Sequence, residues 1–368
     1  MRIALVSSCA VSVPPRAYGG TELVVAELAK NLTRLGHDVT TFATGDSEPE
    51  GGKLQYRFEK PVWPPFESAE LRHAAYAWRE ITATPGAFDI VHTHQAPSLA
   101  FAAIARTIRT VYTIHHCRDE RLIALYRDFP DASYVGISRR QADLIPEVPV
   151  EDIILHGLDQ DLYDAGRGDG GYVAFLGRFA QEKGPHFAID AARRAGVTLR
   201  MGGGVHPPDR AFFDREVRQR LDDRVGGVEW LGELSHVPKL SLLGGARALL
   251  FPIDWEEPFG LVMIEAMLAG TPVIGFPRGS VPEVVEEGVT GYVVRDVAEM
   301  ADRIRQLGTF DRVRCRERAR ERWSSLRMAR EHEMLYERLL TRSTRNRHPA
   351  TVNGVSRVNT DRSSDRIA

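Results

Sequence analysis

The chain has 368 residues, 43% hydrophobic and 27% charged, an ordinary globular composition that is too long for one typical core and predicts two domains. A formal net charge of −2 excludes bulk attraction to nucleic acid or anionic membrane, and no apolar run is long enough to cross a bilayer. Three scattered cysteines, Cys9, Cys117 and Cys315, argue against a disulfide framework or zinc ribbon and for a reducing cytoplasm.

Short β-branched runs alternate with helical patterns, the mark of parallel sheets wrapped by helices. The start, MRIALVSSCAV, has a signal-like apolar stretch but one basic residue, and it runs into Pro14-Pro15. It reads as a first buried strand. Strands are expected at 2–8, 38–44, 89–94, 110–116 and 133–138, with a helix over 21–35 whose stripe is Leu23, Val24, Leu28 and Leu32. A Gly- and Asp-rich stretch, HGLDQDLYDAGRGDGG (156–171), reads as a linker. The alternation then restarts, with strands at 172–178, 197–203, 228–232, 248–253, 272–276 and 291–294. The fold class is α/β: two Rossmann-like domains in tandem, facing across a cleft. The first covers 1–158, the linker 159–171 and the second 172–322. A last amphipathic helix, 323–340, packs back towards the first domain, and 341–368 forms a disordered tail.

Cations are almost all arginine, with five lysines in a Lys+Arg total of 48. Residues 301–368 hold 17 Arg against 9 Asp and Glu, a net of +8. A solvated basic helix and tail explain this, with peripheral membrane contact as the alternative. The oligomeric state is left open.

Ligands of open parallel sheets bind beyond the carboxyl ends of the strands. No G-x-G-x-x-G follows the first strand, and GGG at 202–204 does not complete one, which disfavours a dinucleotide-dependent dehydrogenase. In FLGRFAQEKGP (175–185), Arg178 and Lys183 follow a strand on a loop that opens a helix. Two cations of different shape there can hold phosphate, though a salt-bridged loop would look the same. In EEPFGLVMIEAMLAG (256–270), Pro258 keeps Glu257 extended and a helix starts near Phe259-Gly260. Glu265, inside an otherwise apolar helix, is either a buried carboxylate paired with an arginine or a two-oxygen acceptor for a vicinal diol such as that of ribose.

Together, Arg178, Lys183-Gly184 and Glu257-x7-Glu265 around Pro-Phe-Gly-Leu resemble the donor site of the family 4 glycosyltransferases of the GT-B fold. YGGTE (18–22), FDIVHTH (88–94), TIHH (113–116), VGISRRQAD (135–143), HGLD (156–159) and GSVPEVVEEGVTGYVV (279–294) resemble further family segments, extending the likeness over about 1–340. The resemblance implies retaining, metal-independent transfer of a hexose from a nucleoside-diphosphate sugar, a UDP-sugar and UDP-glucose first, to an acceptor hydroxyl, with no cofactor required. It gives Arg178 and Lys183 the diphosphate, Glu265 the ribose and Glu257 the transferred sugar. Amides of Phe259, Gly260 and Leu261 lie close to sugar and phosphate, and Gly19 and Gly20 admit the phosphates from the first domain. His115 sits near the transferred sugar, with His116 the competing assignment. Catalytic candidates are therefore Arg178, Lys183, Glu257 and His115.

On the acceptor side, Glu22 is either a participant or a first-turn acid favoured by the helix dipole, and His94 and His116 are further candidates. The stretch 58–80 either lines that side or packs through Trp63, Phe66 and Trp78. Its compact domain leans towards a small metabolite as acceptor. His92 with His94 and Asp159 with Asp161 have metal-like spacings but no further ligand nearby, so no metal site is expected. Rival readings keep the fold but change the reaction, to a nucleotide-sugar epimerase or phosphorylase, or remove it, leaving a non-catalytic sugar-nucleotide binder.

Overall fold

The computed structural model describes residues 1–346 apart from Tyr18, Pro64, Pro65, Thr107 and 222–226. The first sheet contains β1 (Arg2–Val6), β2 (Asp38–Ala43), β3 (Lys53–Tyr56), β4 (Ile90–Thr93), β5 (Arg109–Thr113), β6 (Ser133–Gly136) and β7 (Val150–Ile153). The second contains β8 (Tyr172–Leu176), β9 (Thr198–Gly202), β10 (Val228–Trp230), β11 (Leu249–Phe251), β12 (Val273–Gly275) and β13 (Gly291–Val293). Spatial orders are β3-β2-β1-β4-β5-β6-β7 and β10-β9-β8-β11-β12-β13, and the pairings are parallel. Each order reverses beside the first strand of its sheet, which opens a crevice at the strands' carboxyl ends.

Central strands are β-branched runs buried on both faces: Ile3, Leu5 and Val6 of β1 and Val173 of β8 are fully enclosed. The helix Gly20–Arg34 lays Val24, Val25, Leu28 and Leu32 on the first sheet. The helix Leu261–Leu268 is buried along nearly its whole length, with Met263, Ile264, Ala266, Met267 and Leu268 at 0% exposure. Each of the Met, Ile and Leu side chains contributes about 1.5–3 kcal/mol of burial.

The two crossings between domains lie side by side. Leu158 donates its N–H to the Trp323 carbonyl at 2.9 Å and accepts from the Ser325 N–H at 3.0 Å. Trp323 belongs to the second core, whereas Met328, Ala329, Leu335 and Tyr336 join the first. The last helix is Ser325–Asn346 rather than 323–340, so the expected tail loses its first residues to helix; 347–368 lie outside the described residues. The Gly- and Asp-rich linker is packed against the second domain, with Gly166, Gly168 and Gly170 donating to the carbonyls of Ala269, Gly244 and Gly245. Among the described residues, no helix is long and apolar enough to cross a membrane.

Candidate functional site

The carboxyl ends of the two sheets face each other. An ideal Cβ on Gly20, the first residue of its helix, would stand 3.4 Å from Leu261 Cδ1 at the start of the helix in the other domain. Two helix N-termini thus meet across the crevice. Their first amides have no carbonyl within their own helices to bond, and both dipoles favour negative charge there. The Leu261 helix can begin so abruptly because Gly260 sits in the left-handed region, φ 81°. A Cβ there would also press on Met263 Cε at 2.8 Å. Gly19 is packed as tightly, with room for no side chain between Pro15 and Glu22.

Arg178, beyond β8, donates from Nη1 to Asp209 Oδ2 at 2.8 Å and from Nη2 to Glu182. Lys183 donates to Glu257 Oε2 at 2.5 Å and lies 4.3 Å from the Trp255 ring centroid. Trp255 Nε1 donates to the same Glu257 oxygen at 2.9 Å. The sequence brings Arg178, Lys183, Glu257, Gly260 and Leu261 into one place, but the cations are clasped by carboxylates that phosphate oxygens can replace. The Phe259 ring is turned inward, buried between His156 and Trp323 at 5.1 and 5.7 Å.

Glu265 departs from expectation. Its carboxylate is buried and already paired, although not with an arginine. Oε1 accepts from Tyr163 Oη at 3.0 Å and from Lys239 Nζ, while Oε2 accepts nothing among the described residues. Lys239, on the helix His236–Gly245, carries this charge balance. Sequence reading missed it, although a lysine in a chain with so few was a usable signal. The adjacent Glu256 instead faces the other domain: its Oε2 accepts from Arg140 Nε at 2.9 Å and from the Gly279 N–H at 3.2 Å. Amides of Arg139 and Arg140 donate to Glu283 at 2.9 and 2.6 Å, completing an interdomain clasp.

Histidines from the first domain form a stacked row. His92 lies 4.3 Å from His94, His94 lies 5.1 Å from His115, and His115 stacks on His156 at 5.3 Å. His94 Nδ1 and His115 Nε2 share a hydrogen bond of 2.8 Å. Burial, with His116 and His332 nearby, pushes the His115 imidazole down to about 3, so it is neutral at physiological pH. His94 is buried, with its Nδ1 held by His115. His116 is the exposed neighbour, its carbonyl accepting from Gln141 Nε2 at 2.7 Å. Gln141, also missed, holds the Ile114 carbonyl too, at 2.8 Å. The loop faces the second domain: burial, with Glu257 nearby, pushes the Cys117 thiol up. Glu22 is buried, accepts from Ser8 Oγ at 2.5 Å, and has its carboxyl pushed up by burial.

The metal-like spacings dissolve into structure. His92 is enclosed, with its ring nitrogens bonded to Tyr336 Oη and Thr113 Oγ1, both at 2.7 Å. Asp159 accepts from Lys30 at 2.8 Å and caps a turn, and Asp161 pairs with Arg320. Trp78 packs in the first core, whereas Trp63 and Phe66 are exposed, and Trp63 meets His206 of the second domain at 5.5 Å.

Comparison with known proteins bears on the family and the fold. Residues 18–145 match the family described as Glycosyltransferase Family 4, and 170–309 match Glycosyl transferases group 1. The D-inositol 3-phosphate glycosyltransferase of Mycolicibacterium smegmatis is 26% identical over 343 residues, 78% of either chain. AviGT4, a glycosyltransferase involved in avilamycin A biosynthesis, superposes with a TM-score of 0.69 at 26% identity, over 93% of this chain and 98% of its own. Anabaena Alr3699/HepE, solved with UDP and glucose, shares the fold at 20% identity and a TM-score of 0.71, over 92% of this chain and 100% of its own. The chain belongs to the family 4 glycosyltransferases and has their GT-B fold.

Proposed function

We propose that this enzyme moves a hexose from a nucleoside-diphosphate sugar to a hydroxyl of a small acceptor, with retention at the anomeric carbon and without a metal. The observation that carries the reading is the meeting of two helix N-termini, at Gly20 and Leu261, beside the Lys183–Glu257 pair. Positive potential from two dipoles and two cations converges where a diphosphate leaving group would gather charge. Such preorganised stabilisation is worth about 10²–10³ in rate per strong donor.

The residues then take separate tasks. Lys183 and Arg178 exchange their carboxylate partners for phosphate oxygens. Glu257, released from Lys183 but still held by Trp255, accepts from hydroxyls of the hexose. Glu265 accepts from the ribose through Oε2. Before donor binds, Glu22 accepts from Ser8, Glu257 from Trp255 and Lys183, and Glu265 from Tyr163 and Lys239. That supports front-face attack over a covalent glycosyl-enzyme. The acceptor oxygen bonds to the anomeric carbon as its bond to the β-phosphate oxygen breaks, and the acceptor's proton passes to that phosphate. Neutral His115 contributes a hydrogen bond rather than a charge.

UDP-glucose, favoured by the family resemblance, is the donor to test first, and D-inositol 3-phosphate, the substrate in the name of the M. smegmatis relative, the first acceptor. Thermal-shift measurements with UDP-, GDP- and ADP-sugars rank the donors, because a bound ligand stabilises by mass action. Product formation with the preferred donor should continue in excess EDTA with its anomeric configuration retained. Arrest by EDTA, or an inverted product, would remove the corresponding part of the proposal.

A further inference from the structure

The Glu265 carboxylate is the one acid inside the helix Leu261–Leu268, 5% exposed, and both of its protein partners use the same oxygen. A carboxylate oxygen offers about two acceptor positions. Tyr163 Oη and Lys239 Nζ therefore fill Oε1 and leave Oε2 with its capacity intact. A buried ion pair is a poor device for stability alone, since well-packed apolar groups serve as well or better. Here it holds one acid in place through a single oxygen and leaves the other unbonded among the described residues.

We propose that Lys239 is a positioning residue for nucleotide recognition: by saturating Oε1 of Glu265 together with Tyr163, it presents Oε2 to the vicinal diol of the donor's ribose. This rests on the reading of Glu265 as the ribose acceptor. Lys239 is suited to the task because its side chain spans from the neighbouring helix His236–Gly245 to a site it does not itself form. Its compact ammonium completes the pair without the planar demand of a guanidinium.

The test uses whichever of UDP, GDP and ADP binds most tightly, paired with its 2′,3′-dideoxy analogue, titrated calorimetrically into the full-length protein. Wild type should favour the diol by about tenfold or more, the scale of a hydrogen bond to a charged group. Glu265→Gln should bring the preference close to unity. Lys239→Met should lower it at least about threefold, Lys239→Arg should regain part, and Tyr163→Phe should shift it the same way as Lys239→Met. A Lys239→Met protein that keeps the full wild-type preference overturns the role of Lys239 while leaving Glu265 intact. If Lys239→Met does not fold, Tyr163→Phe decides, and an unchanged preference there overturns the proposal. Wild type without diol preference, or Glu265→Gln that keeps it, overturns the ribose reading itself, and the inference falls with it. Failure of all three diphosphates to bind refutes both.

Discussion

Replacing Lys183 by alanine separates two quantities that the structure ties to one atom. Lys183 Nζ lies 2.5 Å from Glu257 Oε2, and the two side chains are 18% and 11% exposed. That shielding sets the pair apart from exposed ion pairs, worth about 0–1 kcal/mol. A hydrogen-bonded charge in such a site is worth about 1.5–3 kcal/mol. Lys183→Ala leaves Glu257 with the Trp255 N–H as its remaining partner, so unfolding free energy should fall by about 2 kcal/mol. A domain stable by about 5–15 kcal/mol remains folded after that loss. Any fall in turnover then reports on chemistry, and it should reach about 10²-fold for removal of a phosphate-stabilising donor. Initial rates at saturating donor, with denaturant unfolding of the same samples, measure both. The Lys183→Ala/Glu257→Gln double variant should regain about 1 kcal/mol of stability and none of the rate. A folded Lys183→Ala enzyme turning over within about threefold of wild type would refute the reasoning.

Other perturbations probe the frame around the site. Gly260→Ala forces a side chain into the left-handed region and against Met263, and should lower stability by about 1–3 kcal/mol in thermal unfolding. Arg140→Ala cuts a half-exposed clasp to Glu256; stability should change by less than about 1 kcal/mol, while the donor KM rises because the two helix starts no longer meet as firmly. Trp63→Ala, at a side chain 55% exposed beside His206, should leave unfolding within about 0.5 kcal/mol and raise the acceptor KM. Acid should destabilise the protein. Burial pushes His332 and His73 down to about 4 and His115 to about 3, so from about 6.5 downward the unfolded chain binds protons that the folded one refuses. Stability is then lost as pH falls from about 6.5 towards 4. Glu27, pushed up to about 6 by burial, and Glu22 act in the opposite sense, but the imidazole shifts are larger and more numerous. His332→Phe should flatten the slope in unfolding followed against pH.

Much of this was legible in the residues because the informative signals are local. The strand-ending position of Arg178, the Pro258 that holds Glu257 outside a helix, and the β-branched runs of β1 and β8 each act within a few residues of themselves. Two strands escaped. Lys53–Tyr56 is a largely exposed edge strand and Val150–Ile153 a half-buried one carrying two acids, so neither shows the apolar run of a central parallel strand. The partner of Glu265 escaped for a different reason: Lys239 lies 26 residues away on another helix, and pairing at that range follows from packing. The same holds for Arg140 with Glu256 and for the histidine row, whose members come from β4 and the segments after β4, β5 and β7, with His332 of the final helix 5.1 Å from His92.

The claim at the centre of the account is that the crevice between Gly20 and Leu261 is a nucleoside-diphosphate site built on Arg178, Lys183 and Glu265. Calorimetric titration of UDP, GDP and ADP into wild type and into Lys183→Ala and Glu265→Gln tests it most directly. One of the three should bind wild type with one-to-one stoichiometry and lose at least about tenfold in affinity in each variant. Absence of binding by all three, or equal affinity in wild type and both variants, would contradict it.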